Sequence, residues 1–355
     1  MTDNEGQIMN SNFLNITTKT LLLLTFIATP QIAHAAGKVT GSGEIIVLHE
    51  LFQDRSFIAL LDARSKAVSV SESGAVGRNI KRFSDVAAQR DVIWLLQRGL
   101  ANRDAASIEK SVKAMEYGFR FITDKGYFRN GLGENPRKAI TADAFFLQAF
   151  GHVYLLLQQN KAGKPFLPRL KKLEPDLRRA LDWLRDNRDE LFRQDRNAPN
   201  RLAFDGLAFL LNGILLNDPA LKEIAYEFLE ADLQMQRLDG VFVEHGGHDS
   251  SYQAVNALVL QVASFYIDDA QVKQRVLKAV EKGMEWEESR FLDNGEINVE
   301  GNTRTGLGQE MLFGTIIDVN YPEVATAFYY WSQLGGSSKS RSYATAITNF
   351  ALSSR

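Results

Sequence analysis

The chain has 355 residues, of which 45% are hydrophobic and 24% charged, and its formal net charge is −2. This balance lacks the basic excess that is typical of nucleic-acid-binding proteins, so we expect no nucleic-acid partner. The chain contains no cysteine, which excludes disulfides, zinc–thiolate sites and cysteine nucleophiles within it. We therefore expect a globular protein that depends on a large apolar core for stability.

The first 35 residues have the pattern of a signal peptide. An apolar stretch over 21–28 precedes Ala33-His34-Ala35, which matches the A-x-A cleavage pattern. As a transmembrane helix the stretch is too short, and Pro30 interrupts it. We expect cleavage after Ala35 and a periplasmic or secreted protein with no membrane attachment afterwards. Residues 36–355 are then a single catalytic domain, expected to be a monomer without cofactor.

Helical periodicity dominates the chain from about Ser84 onward. The segments AITADAFFLQAFGHVYLLLQQ, NRLAFDGLAFLLNGILL and YQAVNALVLQVASFY predict buried helices, the first two because they are apolar on most sides. The segments EPDLRRALDWLRDNRDELF, KEIAYEFLEADLQMQ and VKQRVLKAVEKGMEWEESRFL have apolar residues on one side only. Buried and amphipathic helices therefore alternate. The earlier segment EIIVLHELF is compatible with a strand or a helical turn.

The joints that lead into the buried helices resemble one another. Segments starting at Asp124, Asp239 and Asp293 each pass a Gly turn, a short extended piece and further Gly before a buried helix. Repeated hairpins with buried inner helices favour a closed ring over an open solenoid, because an open solenoid would expose one face of its inner helices to solvent. We predict an all-α fold, an α/α toroid forming an incomplete ring of about five to six helical hairpins. The predicted inner helices lie near 139–158, 201–216, 250–267 and 304–317.

In such a ring, the joints 124–138, 193–201, 239–251 and 293–304 lie on the same rim, where sites on rigid scaffolds usually sit. These joints are rich in polar side chains. The candidate catalytic residues there are Asn200, His245, His248, Tyr252 and Arg304. The candidate substrate-binding residues are Arg137, Lys138, Arg201, Glu244, Glu300 and Asn302.

This set of side chains suits β-elimination in a polysaccharide that contains uronic acid. The reaction removes a proton next to the uronate carboxylate and expels the glycosidic oxygen, so donors such as Asn200 and Arg304 must neutralise that carboxylate. A histidine can act as the base near neutral pH. Tyr252 can protonate the leaving oxygen, and it needs nearby cations if it also acts as the base, because the pKa of a free tyrosine is about 10.

The region resembles the catalytic region of the α/α-toroid polysaccharide lyases, the hyaluronate and chondroitin AC lyase group. The resemblance rests on APNR at 198–201, DGVFVEH at 239–245, Tyr252, and GNTR at 301–304, in that order. It implies that Asn200 neutralises the carboxylate, His245 is the base, Tyr252 donates to the leaving group and Arg304 assists. His248, four residues before Tyr252, competes for the role of base. The implied partner is an acidic polysaccharide.

Several alternatives remain open at the level of sequence. A glycoside hydrolase on the same toroid needs two carboxylates, and candidates are Asp205, Asp239, Glu244, Glu300 and Glu310. A non-catalytic protein that binds or assembles exopolysaccharide needs the cleft but not the His and Tyr. Asn200 is equally compatible with a helix cap, and Asp249 or Ser250 with the cap of the next helix. His152, inside an apolar helix, is expected to be a hydrogen-bonded core histidine. The spacing of the histidines gives no metal motif.

Overall fold

The computed structural model describes residues 43–131, 133, 135–306, 311–312 and 315–353. This part of the chain is all-α, as predicted, with one two-stranded hairpin (β1, Met311–Leu312; β2, Thr315–Ile316). Its helices are α1 (Gly43–Leu51), α2 (Arg55–Lys66), α3 (Val92–Asn102), α4 (Ala105–Phe119), α5 (Ile140–Gln159), α6 (Leu167–Lys171), α7 (Glu174–Asp186), α8 (Arg188–Asp195), α9 (Pro199–Leu216), α10 (Pro219–Leu233), α11 (Ser250–Tyr266), α12 (Ala270–Glu288), α13 (Tyr321–Gln333) and α14 (Ser340–Ser353). The predicted signal peptide lies outside the described residues, so it stays a prediction.

Buried helices line the inside of the fold, and amphipathic helices form its outer layer. Helices α3, α5, α9, α11 and α13 bury side chains on most of their circumference. By contrast, α7 buries one stripe, made of Leu177, Ala180, Leu181 and Leu184. Such a stripe can cover an inner layer while its charged face meets water. The alternation that the sequence predicts is therefore confirmed.

The inner helices pack side by side in chain order, and the two ends of the described chain meet. Helix α5 packs on α9, α9 on α11, and α11 on α13. Helix α2 closes the ring, because it contacts α3 on one side and α14 on the other. An ion pair between Arg341 and Asp54 joins α14 to the start of α2 at 2.5 Å. Counting α1 and α2 as one pair, the described residues form six hairpins, and the predicted toroid is confirmed.

The joints that enter the inner helices share one turn. Each is closed by an isolated antiparallel bridge: Val70 with Val76, Ile122 with Phe128, Gln236 with Phe242, and Phe291 with Ile297. Each turn contains a glycine at positive φ: Gly74, Gly126, Gly240 and Gly295. A Cβ at any of them would overlap a carbonyl oxygen of the outer helix of the following hairpin. Glycine is therefore required for docking. The sequence identifies three of these turns, since the one at Gly74 lacks the Asp that introduces the others.

One predicted inner helix is wrong. The described residues of 304–317 (304–306, 311–312 and 315–317) form bends and the strands β1 and β2, and the inner helix is α13, Tyr321–Gln333. Gly306 lies at positive φ of 72°, which a continuing helix does not tolerate. Helix α13 has Pro322 in its first turn. Backbone N–H groups in the first turn of a helix have no intrahelical acceptor, so the missing N–H of proline does not destabilise the helix there. The other three predicted inner helices agree with α5, α9 and α11 to within two residues at each end.

The undecided segment EIIVLHELF forms α1, which packs against α11 and α13. Helix α5 is the one described helix that is long and apolar enough to cross a membrane. Because 78% of its most apolar window is buried inside the fold, these properties belong to a core helix of the ring.

Candidate functional site

The inner helices surround a cavity of about 480 Å³. Its mouth is lined by residues at the N-terminal ends of inner helices, among them Asn200, Arg201, Ser251 and Tyr252. Residues further along the same helices line its deeper part. The mouth therefore coincides with the rim of joints that the sequence analysis predicts as the site.

Asn200 contributes an amide to the mouth. It is the second residue of α9, where Ala198 is the N-cap and Pro199 follows it. Its side chain makes no cap hydrogen bond, and its amide oxygen is buried without a partner among the described residues. The interpretation of Asn200 as a helix cap is therefore wrong, and the residue lines the cavity instead.

Tyr252 and Arg304 meet at the mouth. The guanidinium carbon of Arg304 lies 3.8 Å from the centre of the Tyr252 ring. Arg304 also donates from Nη1 to Oε1 of Glu244 at 2.5 Å, and both side chains of this ion pair are buried. Burial raises the pKa of Glu244, and the hydrogen bond with Arg304 acts in the opposite direction. Glu244 does not line the cavity, so its visible contribution is to hold Arg304.

The joint before α11 and the joint after α12 are tied together by Asp249. This carboxylate caps α11 by accepting from the backbone N–H groups of Ser251 and Tyr252, as the sequence indicates. It also accepts from the backbone N–H groups of Arg304 and Thr305. One carboxylate therefore fixes Tyr252 and Arg304 relative to each other.

Asn302 also links the joint before α11 to the joint after α12. Its Oδ1 accepts from the backbone N–H and the hydroxyl of Ser250, and its amide donates to Thr305. These contacts occupy the side chain, which does not line the cavity. The sequence names Asn302 as a substrate ligand, whereas its contacts in the structure are with the protein itself.

The two rim histidines differ in their surroundings. His245 adopts a positive φ of 50°, and its exposed ring has Nε2 3.8 Å from Oε1 of Glu244. His248 is half-buried against Trp286, and its Nε2 lies 3.1 Å from the carbonyl oxygen of Glu300. Among the described residues, the lining of the cavity includes neither histidine. Among the described residues, His245 approaches Glu244, which in turn holds Arg304 against Tyr252.

The remaining predicted ligands divide into one at the mouth and three outside it. Arg201 lines the cavity and pairs with Asp195 at 3.2 Å. Arg137 and Lys138 are exposed on the short 3₁₀ helix Pro136–Lys138, and Glu300 is exposed on its joint. These last three are absent from the lining that the described residues form.

Two arginines that the sequence analysis does not identify also line the cavity. Arg64 comes from α2 and lies over Trp94, with 5.6 Å between guanidinium carbon and ring centre. Arg90 precedes α3 and lies over Phe145 at 4.7 Å. Neither has a carboxylate of the described residues within ion-pair distance. No local motif marks either residue, and Arg64 reaches the cavity because the closure of the ring brings α2 next to the inner helices.

Of the carboxylates named for a hydrolase, the four that the structure describes do not line the cavity. Asp205 is fully buried, and its pKa is raised by burial and by the neighbouring carboxylate of Asp195. Asp239 pairs with Arg237 at 2.7 Å on the surface. Glu310 lies outside the described residues. The cavity is instead lined by Asp91, Asp318 and Glu323.

The surroundings of Glu323 in the cavity shift its pKa. Burial raises its pKa, and the positive charges of Arg64 and Arg90 lower it again. Within the described ranges, no group of three or more His, Asp or Glu residues has the arrangement of a metal site.

At the end opposite the mouth, one carboxylate joins three inner helices. Glu44 of α1 is fully buried and lies 2.8 and 2.7 Å from Nε2 of His152 through its two oxygens. It also accepts from the hydroxyls of Tyr266 and Tyr330, at 2.9 and 3.0 Å. Burial and the Glu44 charge raise the pKa of both tyrosines, so they remain donors. The predicted hydrogen-bonded core position of His152 is confirmed.

No family model and no curated protein matches this chain. Among solved structures, the chain is similar to an unsaturated glucuronyl hydrolase from Bacillus sp. GL1 that is responsible for the degradation of glycosaminoglycan. The sequence identity is 13%, the TM-score is 0.44, and the match covers 86% of this chain and 84% of that one. A likeness this distant says nothing about the chemistry of the cavity.

Proposed function

We propose that this protein is a polysaccharide lyase that cleaves an acidic, uronate-containing polysaccharide by β-elimination. The observation that carries the proposal is the contact of Arg304 with Tyr252 at the mouth of a cavity that Asn200 also lines. A phenol with a cation against its ring, and an amide that lines the same cavity, supply the groups that this reaction needs.

The proposed step moves one proton off the sugar and one onto the leaving oxygen. The amide of Asn200 donates to the uronate carboxylate and withdraws charge from it, which stabilises the carbanion-like transition state. The phenolate of Tyr252 takes the proton from C5, the C4–O4 bond breaks, and a C4–C5 double bond forms. The Tyr252 hydroxyl then returns its proton to O4, so atoms and charge balance.

Tyr252 is the residue proposed for both proton transfers, because it lines the cavity and the two rim histidines do not. The guanidinium of Arg304 offsets the negative charge of the phenolate at short range. His245 acts through Glu244 and Arg304 in this scheme, whereas the resemblance to the lyases makes it the base. Variants of the histidines distinguish the two schemes.

An acidic substrate is supported by the arginines of the cavity. Arg64 and Arg90 face the cavity without an ion pair to any described carboxylate, and Arg201 and Arg304 add two more guanidinium groups at the mouth. Guanidinium groups match carboxylates and sulfates in geometry. The carboxylates or sulfates of a polysaccharide therefore suit Arg64 and Arg90 as ligands.

The proposal is tested by incubating the protein with a panel of uronate polymers and following both ultraviolet absorbance and new reducing ends. A lyase produces one unsaturated uronate for each new reducing end, so the two signals rise together. New reducing ends without the absorbance would refute the lyase and indicate hydrolysis. Binding with neither signal would indicate a non-catalytic polysaccharide-binding protein.

A two-carboxylate hydrolase is the second candidate, and one observation favours it. Glu323 and Asp91 both line the cavity, and the raised pKa of Glu323 suits a general acid. In that case Glu323→Gln abolishes the release of reducing ends, while Tyr252→Phe leaves it intact. The lyase mechanism predicts the opposite: Tyr252→Phe abolishes the release of reducing ends, and Glu323→Gln leaves it intact.

A further inference from the structure

The floor of the cavity is closed. Glu44 binds side chains of α5, α11 and α13 at one point, and the hydroxyl of Tyr330 also accepts from Gln97 of α3 at 3.3 Å. This network therefore spans the lumen between four inner helices. His152 and Tyr330 line the cavity, while the fully buried Glu44 lies beneath them. A polymer that enters at the mouth has no exit at the other end.

The floor also carries polar groups without protein partners. The side-chain amide of Gln148 makes no hydrogen bond with a described residue, although the residue is only 7% exposed. Nδ1 of His152 is likewise without a partner in the described chain, and Oε1 of Gln97 is buried and unpaired. Buried polar groups are normally hydrogen-bonded. A polar ligand that reaches the floor can therefore supply hydrogen-bond partners to groups that the described residues leave without one.

The distance from mouth to floor suits a short saccharide. Helix α11 lines the cavity from Tyr252 to Val262, ten residues apart, which corresponds to about 15 Å along a helix. The wall between these residues is mostly apolar, with Val255, Leu258 and Val259 on α11. Polar recognition is therefore concentrated at the two ends of the cavity.

We propose that the protein acts from a chain end and that Gln97, Gln148, His152 and Tyr330 form the subsite for the terminal sugar. This inference rests on the proposed lyase function, because Tyr252 at the mouth then marks the bond that is cleaved. The terminal sugar lies on the floor, and the bond at Tyr252 is broken. The cavity sets the size of the released product.

The first test uses the wild-type protein and needs no variant. During cleavage of a uronate polymer, products are sized by chromatography at early times and the viscosity of the solution is followed. A chain-end enzyme releases only short saccharides of constant size while viscosity falls slowly. An early ladder of long fragments with a rapid loss of viscosity would overturn the proposal and leave the lyase function standing.

The second test measures binding and does not depend on cleavage. Gln148→Leu is introduced into the Tyr252→Phe protein, and uronate oligosaccharides of increasing length are titrated by calorimetry. We expect affinity to fall about tenfold, as for the loss of one or two hydrogen bonds. The matched control is Gln158→Leu, which lies on the same helix but is exposed.

The two proposals fail in different ways. If no unsaturated product is formed but Gln148→Leu still weakens binding relative to Gln158→Leu, the lyase is refuted and the floor subsite is supported. If the two variants bind the oligosaccharides equally, or if neither protein binds them, the floor subsite is overturned whatever the reaction.

Discussion

The guanidinium carbon of Arg304 lies 3.8 Å from the centre of the Tyr252 ring, although the whole of α12 separates the two residues in the chain. Asp249 holds the backbone on both sides of this contact, and Glu244 holds the guanidinium itself. Because Asp249 fixes both backbones and Glu244 fixes the guanidinium, the cation and the phenol are held together before substrate arrives. Such preorganisation is what electrostatic catalysis requires.

Replacing Tyr252 by Phe should lower kcat by about 10²–10⁴-fold, because a positioned acid–base group is removed while the ring that contacts Arg304 remains. Substrate affinity should change little, which is checked by titration with an oligosaccharide. Tyr343→Phe is the control, since Tyr343 packs against Phe291 and Phe328 away from the cavity. Full turnover by the Tyr252 variant would refute the proposed mechanism.

The two histidines should respond differently to replacement by alanine. His245 lies 3.8 Å from the carboxylate that holds Arg304, whereas His248 contacts a backbone carbonyl and Trp286 outside the cavity. We expect His245→Ala to reduce kcat/KM several-fold, below the loss from Tyr252→Phe, and His248→Ala to have a smaller effect. If His245→Ala is as severe as Tyr252→Phe, His245 is the base. An essential His248 would contradict both schemes.

Asp205 should make the protein less stable as the pH rises. Its pKa in the fold is raised well above its usual range, so the folded carboxyl keeps its proton when the unfolded one, with a pKa near 3.9, has lost it. The contribution of Asp205 to the unfolding free energy is therefore fully present below the unfolded pKa. It is lost as the pH rises from there through the folded pKa. Asp205→Asn, whose amide can donate to Asp195, should raise the urea midpoint at neutral pH and flatten its pH dependence.

An Asp205→Asn midpoint that is lower than wild type at pH 7, with an unchanged pH profile, would show that Asp205 is ionised in the fold. Asp232 and Glu287 are also fully buried with raised pKa values. The unfolding free energy of the Asp205→Asn variant should therefore still fall with pH, although less steeply than that of the wild type.

The turn at Gly240 should be intolerant of a side chain. Its φ is 92°, and a Cβ there would overlap the carbonyl oxygen of Lys282. Gly335 has a φ of 93° with open space around it, so Gly335→Ala measures backbone strain alone. We expect Gly335→Ala to cost about 1 kcal/mol of unfolding free energy and Gly240→Ala clearly more. Equal costs in denaturant titrations would contradict the docking role of this turn.

Export is predicted by the N-terminal pattern. The mature protein isolated from its native host should begin near Ala36, because Ala33-His34-Ala35 matches a signal-peptidase site. N-terminal sequencing of periplasmic or secreted material checks this. A protein that retains Met1 or Met9 in the cytoplasm would contradict it.

Local patterns in the sequence were sufficient for the main features of the fold. The apolar spacing of α5, α9 and α11 and the amphipathic spacing of α7 and α12 identify inner and outer helices, because burial on one or on all sides leaves a periodic trace. The glycines at 126, 240 and 295 mark the joints, since a left-handed turn restricts the residue type. The sequence also indicates the joints that bear Asn200, Tyr252 and Arg304.

Only the tertiary structure decided which side chains share the cavity. Arg64 is brought there when α2 closes the ring against α14, a contact between distant parts of the chain that no local pattern encodes. The same holds for Glu44, whose position under His152 depends on the packing of α1 across α11 and α13. Conversely, the rim carries His245, His248, Arg137 and Lys138 as predicted, but the direction of each loop keeps them out of the lining formed by the described residues. Position along the chain specifies the rim, whereas the packing of helices and the geometry of turns specify the interior.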